Sequence, residues 1–263
     1  MKSLRILVTG SAGRLGRAGV TELVARGHTV IGFDLRPTPG LPAGQSVVAT
    51  LQDVEALNRA ATGIDALIHL AATPDDARFP RGAAPDDGDN FLSELVPNNI
   101  VGGYHVLEAA RKNGVPKVLL ASTGQVVDGY VDAGRMPVMA DWPPHPRYLY
   151  ASTKVFLEAL GSAYAHAHGM KVLAVRLGWC PRDAGQVAQI AASADDQDVF
   201  LSPGDAGRFF ACFVEKDAEE LPAFAPLFVT SAPRVKLFYD LAPAKELVGF
   251  IPQDSWPTGA DAD

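Results

Sequence analysis

The pentapeptide YASTK, residues 150–154, sets a phenol and an ammonium four positions apart. On a helix that spacing puts Tyr150 and Lys154 side by side on one face. A neighbouring positive charge favours phenolate over phenol. Bringing a tyrosine from about 10 toward neutrality takes about 4 kcal/mol, at roughly 1.4 kcal/mol per pKa unit, which nearby cations in a dry cleft can supply. The chemistry open to the pair is removal of a hydroxyl proton by Tyr150 as general base. Tyr-x-x-x-Lys by itself is common by chance and more often a surface pair. An apolar run ending in AST at 121–123 would bring the hydroxyls of Ser122 and Thr123 to the same place, one of them to hydrogen-bond the oxygen that Tyr150 deprotonates. Their plain alternative is a turn.

A second motif gives the pair a context. TGSAGRLG at 9–16 carries Gly10, Gly13 and Gly16 where the apolar run LRILV gives way to a helical pattern. A dinucleotide pyrophosphate needs a tight strand-to-helix turn, close backbone approach and a helix N-terminus aimed at its charge. Gly10 would make the turn, Gly13 admit the phosphates, and Gly16 let the helix pack on the sheet. The next apolar run ends in an acid, Asp34, as this fingerprint requires. Asp34 can accept hydrogen bonds from both hydroxyls of an adenosine ribose and would repel a 2′-phosphate, so NAD is expected rather than NADP; Arg36 beside it could bind that phosphate. Asp53 can meet the adenine amino group, cap the helix that begins at Val54, or both.

These motifs need a frame of alternating elements. Val/Ile/Leu-rich runs at 4–9, 29–34, 47–49, 65–70, 117–122, 171–177 and 227–230 read as strands buried on both faces. Helical patterns lie between them at 14–26, 54–61, 92–113 and 147–168, closed by or near glycines. The alternation predicts an α/β fold with a doubly wound parallel sheet. A core over 1–178 is expected to carry a small substrate-binding portion over 179–263 that does not fold independently. The polar segment 73–90 and the stretch 180–203, with few structural signals, would lie beyond the carboxyl ends of strands, where ligands bind in such sheets; their plain alternative is exposed loops.

A chain of 263 residues suits one large α/β domain. With 23 Lys and Arg against 30 Asp and Glu, the net charge is −7 without blocks of like charge, so no nucleic-acid or acidic-membrane footprint is present and a small-molecule partner is expected. Cys180 and Cys212 are too few for a disulfide scaffold and read as buried free thiols of a reducing compartment. MKSLRILVTG reads as a first strand rather than a signal peptide, and no apolar stretch approaches the roughly 18 residues of a membrane span, which predicts a cytoplasmic protein.

Together with HLAA at 69–72, NIVGGYHVLEAA at 99–110, ASTGQVV at 121–127 and RLGWCP at 176–181, these motifs make the chain resemble the extended short-chain dehydrogenases/reductases of the NAD-dependent epimerase/dehydratase family. The resemblance implies a Rossmann fold, NAD, and an oxidoreductase in which Tyr150 is the general base and Lys154 holds the nicotinamide ribose and tunes Tyr150. It places Asn99 in the catalytic scaffold and Thr123 at the position of the catalytic Ser/Thr, with Ser122 as the alternative. Cofactor contacts carried over are Ala12, Arg14 and Leu15 in the glycine turn, Leu35 after Asp34, Val54 after Asp53, and Leu70, Ala71 and Ala72. Thr73, Gly124, Gln125, Trp179 and Arg182 fall on the substrate side.

Within the family, the short length, RLGWC, FLSPGD at 200–205 and GFIPQDS at 249–255 are most similar to uronate dehydrogenases. The group oxidised would then be a secondary or anomeric hydroxyl of a small sugar or sugar acid. The alternatives are a nucleotide-sugar epimerase or dehydratase, and a non-catalytic NAD-binding sensor. The intact Tyr150, Lys154 and Thr123 set speaks against a sensor, and the lack of an Asp-Glu pair after Thr123 against a dehydratase. Gly124 and Gln125 stand where uronate dehydrogenases tend to have Asn and His; Ala184 and Gly185 stand where paired arginines would meet a carboxylate, leaving Arg182 as the nearest cation. A neutral sugar, a sugar-lactone precursor or another secondary alcohol suits such a pocket. His28 reads as a surface turn residue, His69 as a packed core histidine, and His166 and His168 as a helix end, so no metal is expected. The helices at 92–113 and 147–168 resemble the pair through which this family dimerises as a four-helix bundle, which implies a homodimer unless their apolar positions all face the sheet.

Overall fold

The computed structural model describes residues 3–74 and 90–261. Among them, β1 (Arg5–Thr9), β2 (Thr29–Asp34), β3 (Ser46–Val48), β4 (Ala66–His69), β5 (Lys117–Thr123), β6 (Lys171–Leu177) and β7 (Phe224–Val229) form one parallel sheet ordered β3-β2-β1-β4-β5-β6-β7. Runs such as Ile6, Leu7 and Val8 or Val118, Leu119 and Leu120 are fully buried, as strands covered on both faces require.

Helices α1 (Arg14–Ala25), α2 (Val54–Ala60), α3 (Gly102–Lys112), α4 (Asp128–Asp132), α5 (Leu149–His168), α6 (Ala184–Ala191), α7 (Ala194–Asp198), α8 (Pro203–Glu215) and α9 (Ala242–Val248) complete the fold. One face of the sheet is covered by α1, α8 and α9, through Val20, Leu23, Phe209, Phe210 and Val248. The other is covered by α2, α3 and α5, through Leu57, Val106, Leu107 and Leu157. Each such side chain contributes roughly 1.5–3 kcal/mol by leaving water. Strand order reverses between β1 and β4, which opens a crevice at their carboxyl ends.

Several elements depart from the sequence reading, each for a local reason. The helix expected over 92–113 begins as a π-helical coil, Phe91–Val101, before continuing as α3. Pro97 lies inside the coil; it has no amide hydrogen to give to the preceding turn, and an α-helix does not tolerate its ring. The stretch 180–203 holds α6 and α7, N-capped by Asp183 and Ser193. β7 begins at Phe224 rather than 227, and Pro226 within it is tolerated because the strand lies at the edge of the sheet. Of the polar segment 73–90, residues 75–89 lie outside those described.

FLSPGD and GFIPQDS meet each other in the fold. Asp205, fully buried, accepts from Ser231 Oγ (2.7 Å) and from the amides of Gln253 and Asp254 (2.8 and 3.0 Å), and pairs with Arg208 at 2.7 Å. Ser202 Oγ, which caps α8, donates to Asp254 at 2.6 Å. The two motifs thus fasten the C-terminal segment to α8. Cys180 and Cys212 are free thiols, half-buried rather than buried. His28, expected on the surface, is buried instead: its Nδ1 accepts from the Leu4 amide at 3.3 Å and its Nε2 lies 3.6 Å from Glu215. Among the described residues no helix is long and apolar enough to cross a membrane.

Candidate active site

A cleft of about 830 Å³ runs from the glycine turn along the ends of β1, β4, β5 and β6. Gly10 turns the chain at φ 73°, and a Cβ there would lie 2.6 Å from the Ala71 amide nitrogen, so the turn seats directly on the loop after β4. Gly13 is the N-cap of α1 and supplies no capping side chain, and the first turn of the helix carries no acidic residue. The first turn of α1 therefore has no acidic side chain of its own to offset its partial positive charge. Gly16 differs from expectation: a Cβ there would strike the Gly10 carbonyl oxygen, so it lets α1 pack against its own turn rather than against the sheet. Arg14, Leu15, Leu70 and Ala72 join Gly10, Gly13 and Gly16 in lining the cleft.

Asp34 ends β2 with both carboxylate oxygens oriented by backbone, Oδ2 accepting from Ala12 at 3.0 Å and Oδ1 from Arg36 at 3.2 Å. Leu35 and Arg36 are exposed beside it. Asp53, also exposed, caps α2 by accepting from the Ala56 amide at 2.9 Å, with Val54 as the first helical residue.

Lys154 and Tyr150 project from the first turns of α5. Lys154 is 3% exposed; its Nζ donates to the Ala121 carbonyl at 2.9 Å and sits 5.6 Å from the centroid of the Tyr150 ring, which lines the cleft. Burial lowers the Lys154 pKa to about 8, so at neutral pH the ammonium keeps its proton. Asn99 fixes this helix start to the loop after β4. Its Oδ1 accepts from the Thr73 amide (2.8 Å), and its Nδ2 donates to the Thr73 carbonyl (3.0 Å) and to Thr153 Oγ1 (3.1 Å), whose own hydroxyl donates to the Tyr150 carbonyl at 2.7 Å. Neighbouring Asn98 donates to Thr73 Oγ1 at 2.8 Å. His69, buried, shares a 2.7 Å hydrogen bond with Thr9; burial, with Lys154 nearby, lowers its pKa to about 3 and keeps the ring neutral.

The two candidate hydroxyls separate. Ser122 donates to Glu158 Oε1 at 2.5 Å, and Glu158 is held by Arg176 through bonds of 3.0 and 2.9 Å, all three side chains being buried. Thr123, half-exposed in the cleft, accepts from the Gln125 amide at 3.3 Å, a contact that leaves its hydroxyl hydrogen available to donate.

Gly124, Gln125, Trp179 and Arg182 line the far side of the cleft, whereas Thr73 is engaged by the asparagines. Gln186 Oε1 orders this wall, accepting from Trp179 Nε1 at 3.4 Å and the Arg182 amide at 2.9 Å. Asp128, Tyr148, Gln186, Gln189, Asp196 and Tyr239 also line it and were not anticipated. The caps at Asp183 and Ser193 were the legible signal for those on α6 and α7; Tyr239 had none.

Residues 6–179 match the model of the NAD dependent epimerase/dehydratase family. The chain belongs to that family. This family member is 32% identical to the L-arabinose 1-dehydrogenase (NAD(P)(+)) of Haloferax volcanii, over 97% of this chain and 98% of that one. It is 31% identical to the uronate dehydrogenase of Agrobacterium fabrum, over 76% and 72% of the respective lengths. Among solved structures, the glucuronic acid dehydrogenase of Chromohalobacter salexigens is similar at a TM-score of 0.76 and 26% identity, covering 98% of this chain and 87% of the other.

Proposed function

We propose that the chain is an NAD-dependent dehydrogenase that oxidises the anomeric hydroxyl of a small neutral aldose to a lactone. The observation that carries this reading is the buried Lys154 ammonium fixed beneath Tyr150 in the cleft that the glycine turn opens. Likeness to an L-arabinose 1-dehydrogenase along nearly the whole of both chains supports a sugar substrate and attack at C1. A wall furnished by Gly124, Gln125, Gln186 and Gln189, with Arg182 at its rim, suits a neutral sugar better than a uronate. The residues beyond 179 bring Arg182, Gln186 and Gln189 to that wall beside Gly124 and Gln125, and form the substrate-binding portion.

The dinucleotide fits the cradle. Gly10 and Gly13, with Ala12, Arg14, Leu15 and Gly16, form the pyrophosphate turn at an uncapped helix start. Asp34 would hold the adenosine ribose with Leu35 and Arg36 beside it, Asp53 and Val54 would meet adenine, and Leu70, Ala71 and Ala72 would lie toward the nicotinamide. Bound there, NAD would supply the hydride acceptor for the sugar carbon. Tyr150, as phenolate, takes the hydroxyl proton while the O–H electron pair becomes the second bond of the new carbonyl. Thr123 hydrogen-bonds that oxygen and orients it; Lys154 stabilises the phenolate and holds the nicotinamide ribose; Asn99 keeps the start of α5 and Thr73 in register. Ser122 plays its part in the core rather than at the substrate.

The test is reduced nicotinamide formation with NAD against neutral aldoses, uronates and simple secondary alcohols. Neutral aldoses should exceed uronates by about tenfold or more in kcat/KM. Silence across the panel with NAD binding intact would transfer the reading to an epimerase or a sensor. Cofactor choice gives a second expected result: Asp34→Ala, leaving Arg36 free to meet a 2′-phosphate, should shift the NAD-to-NADP ratio of kcat/KM toward NADP by about tenfold.

A homodimer through α3 and α5 is part of the same proposal. Tyr104 and Phe156 are 46% and 39% exposed on these neighbouring elements, with Val101 beside them at 38%. Light scattering should give a dimer for the wild type and a monomer for Tyr104→Asp combined with Phe156→Asp; a monomeric wild type would contradict it.

A further inference from the structure

We infer that Tyr239 is a specificity-determining residue that donates a hydrogen bond from its phenol to a ring hydroxyl of the sugar. The inference rests on the aldose dehydrogenase reading above and extends it to a residue far from every motif.

Tyr239 is 93% buried, at 7% exposure, yet it lines the cleft, and among the described residues no group hydrogen-bonds to its phenol oxygen. The ring is buried while the hydroxyl faces the cleft, and the packing around the ring holds it in that position. Its ring stacks on Phe228 at 4.6 Å between centroids and 8° between planes. Phe228 is itself fully buried under the Arg176 guanidinium, 5.3 Å from its centroid, and Arg176 is locked by Glu158. The backbone is tied on both sides: Val138 donates to the Phe238 carbonyl at 2.8 Å, and the Asp240 amide donates to the Val138 carbonyl at 3.0 Å. Upstream, buried Asp198 accepts from the amides of Arg234, Val235 and Lys236, its two nearest contacts both 2.6 Å. The ring has no freedom to turn toward another partner.

The phenol also explains Gly124. A Cβ at Gly124 would lie 2.6 Å from the Tyr239 hydroxyl oxygen and 2.9 Å from the ring carbon that bears it. A side chain at 124 and a tyrosine at 239 therefore exclude each other, and here the hydroxyl from the distant segment takes the space beside Thr123 that a residue at 124 would fill. Burial and the nearby Asp128 carboxylate push the phenol pKa up, so the group stays protonated at neutral pH and acts as a donor, in contrast to Tyr150. A donor fixed beside the catalytic hydroxyl meets a sugar oxygen, and it offers no charge to a carboxylate.

The experiment compares wild type and Tyr239→Phe, which keeps the stack and removes only the hydroxyl, on a neutral aldose and its monodeoxy analogues. For the parent sugar, kcat/KM should fall about tenfold, mostly through KM, with NAD affinity unchanged. One deoxy analogue should be oxidised equally by both enzymes, which identifies the hydroxyl recognised. Wild-type kcat/KM in Tyr239→Phe would overturn the assignment, as would an equal loss on every analogue accompanied by weaker NAD binding. A wild type inactive on all aldoses would instead overturn the functional reading itself, and this assignment with it, before any substitution is made.

Discussion

Tyr150→Phe should lower kcat by about 10³-fold or more while NAD affinity stays within about twofold of wild type. The ring remains, so its packing over Lys154 at 5.6 Å persists, and what is lost is the oxygen proposed to accept the proton. Without it the alcohol must lose its proton to water as hydride leaves, a step for which the cleft has no replacement at that position. Lys154→Met should give a comparable fall in kcat and also weaken NAD, because the proposal has the ammonium serve both the phenol and the nicotinamide ribose. Stopped kinetics with calorimetry on the same samples separate the two effects. A Tyr150→Phe enzyme within tenfold of wild type would place the base elsewhere.

Glu158→Ala should destabilise the fold by about 3–5 kcal/mol, because it strands a buried guanidinium. Arg176 and Glu158 have side chains 2% and 7% exposed, and the carboxylate also accepts from Ser122. At about 2–4 °C per kcal/mol for a chain of this size, the loss appears as a fall of about 10 °C in Tm. Ser122→Ala removes one hydrogen bond and should cost about 1 kcal/mol with kcat unaltered, whereas Thr123→Ala should lower kcat at unchanged Tm. A Ser122→Ala enzyme with a large kcat defect would reverse the assignment of the two hydroxyls.

The frame of the fold was legible because its strands are continuous apolar runs: 29–34 and 171–177 were expected at the bounds where β2 and β6 lie. Local chemistry hid the rest. The helical pattern over 92–113 runs through Pro97, where the chain widens into a π-helical coil, and the run expected from 227 begins earlier, with Pro226 accepted on an edge strand. α6 and α7 are short, and their signals are caps at Asp183 and Ser193 rather than apolar periodicity. In the candidate site, glycines, Asp34 and the Tyr150 and Lys154 pair were legible because their spacing is itself the chemistry. Tyr239 was not, since only tertiary packing brings it against Gly124. Nor does any local pattern reveal that Ser122 is consumed by Glu158 while its neighbour Thr123 faces the cleft.

The most direct measurement is the fate of the anomeric hydrogen. Wild-type protein, NAD and the neutral aldose most active in the substrate panel, deuterated at C1, should yield singly deuterated reduced dinucleotide together with the lactone or its acid, and kcat/KM should show a primary isotope effect. Reduced dinucleotide free of deuterium, or sugar returned with inverted configuration and no net reduction, would contradict hydride transfer from C1.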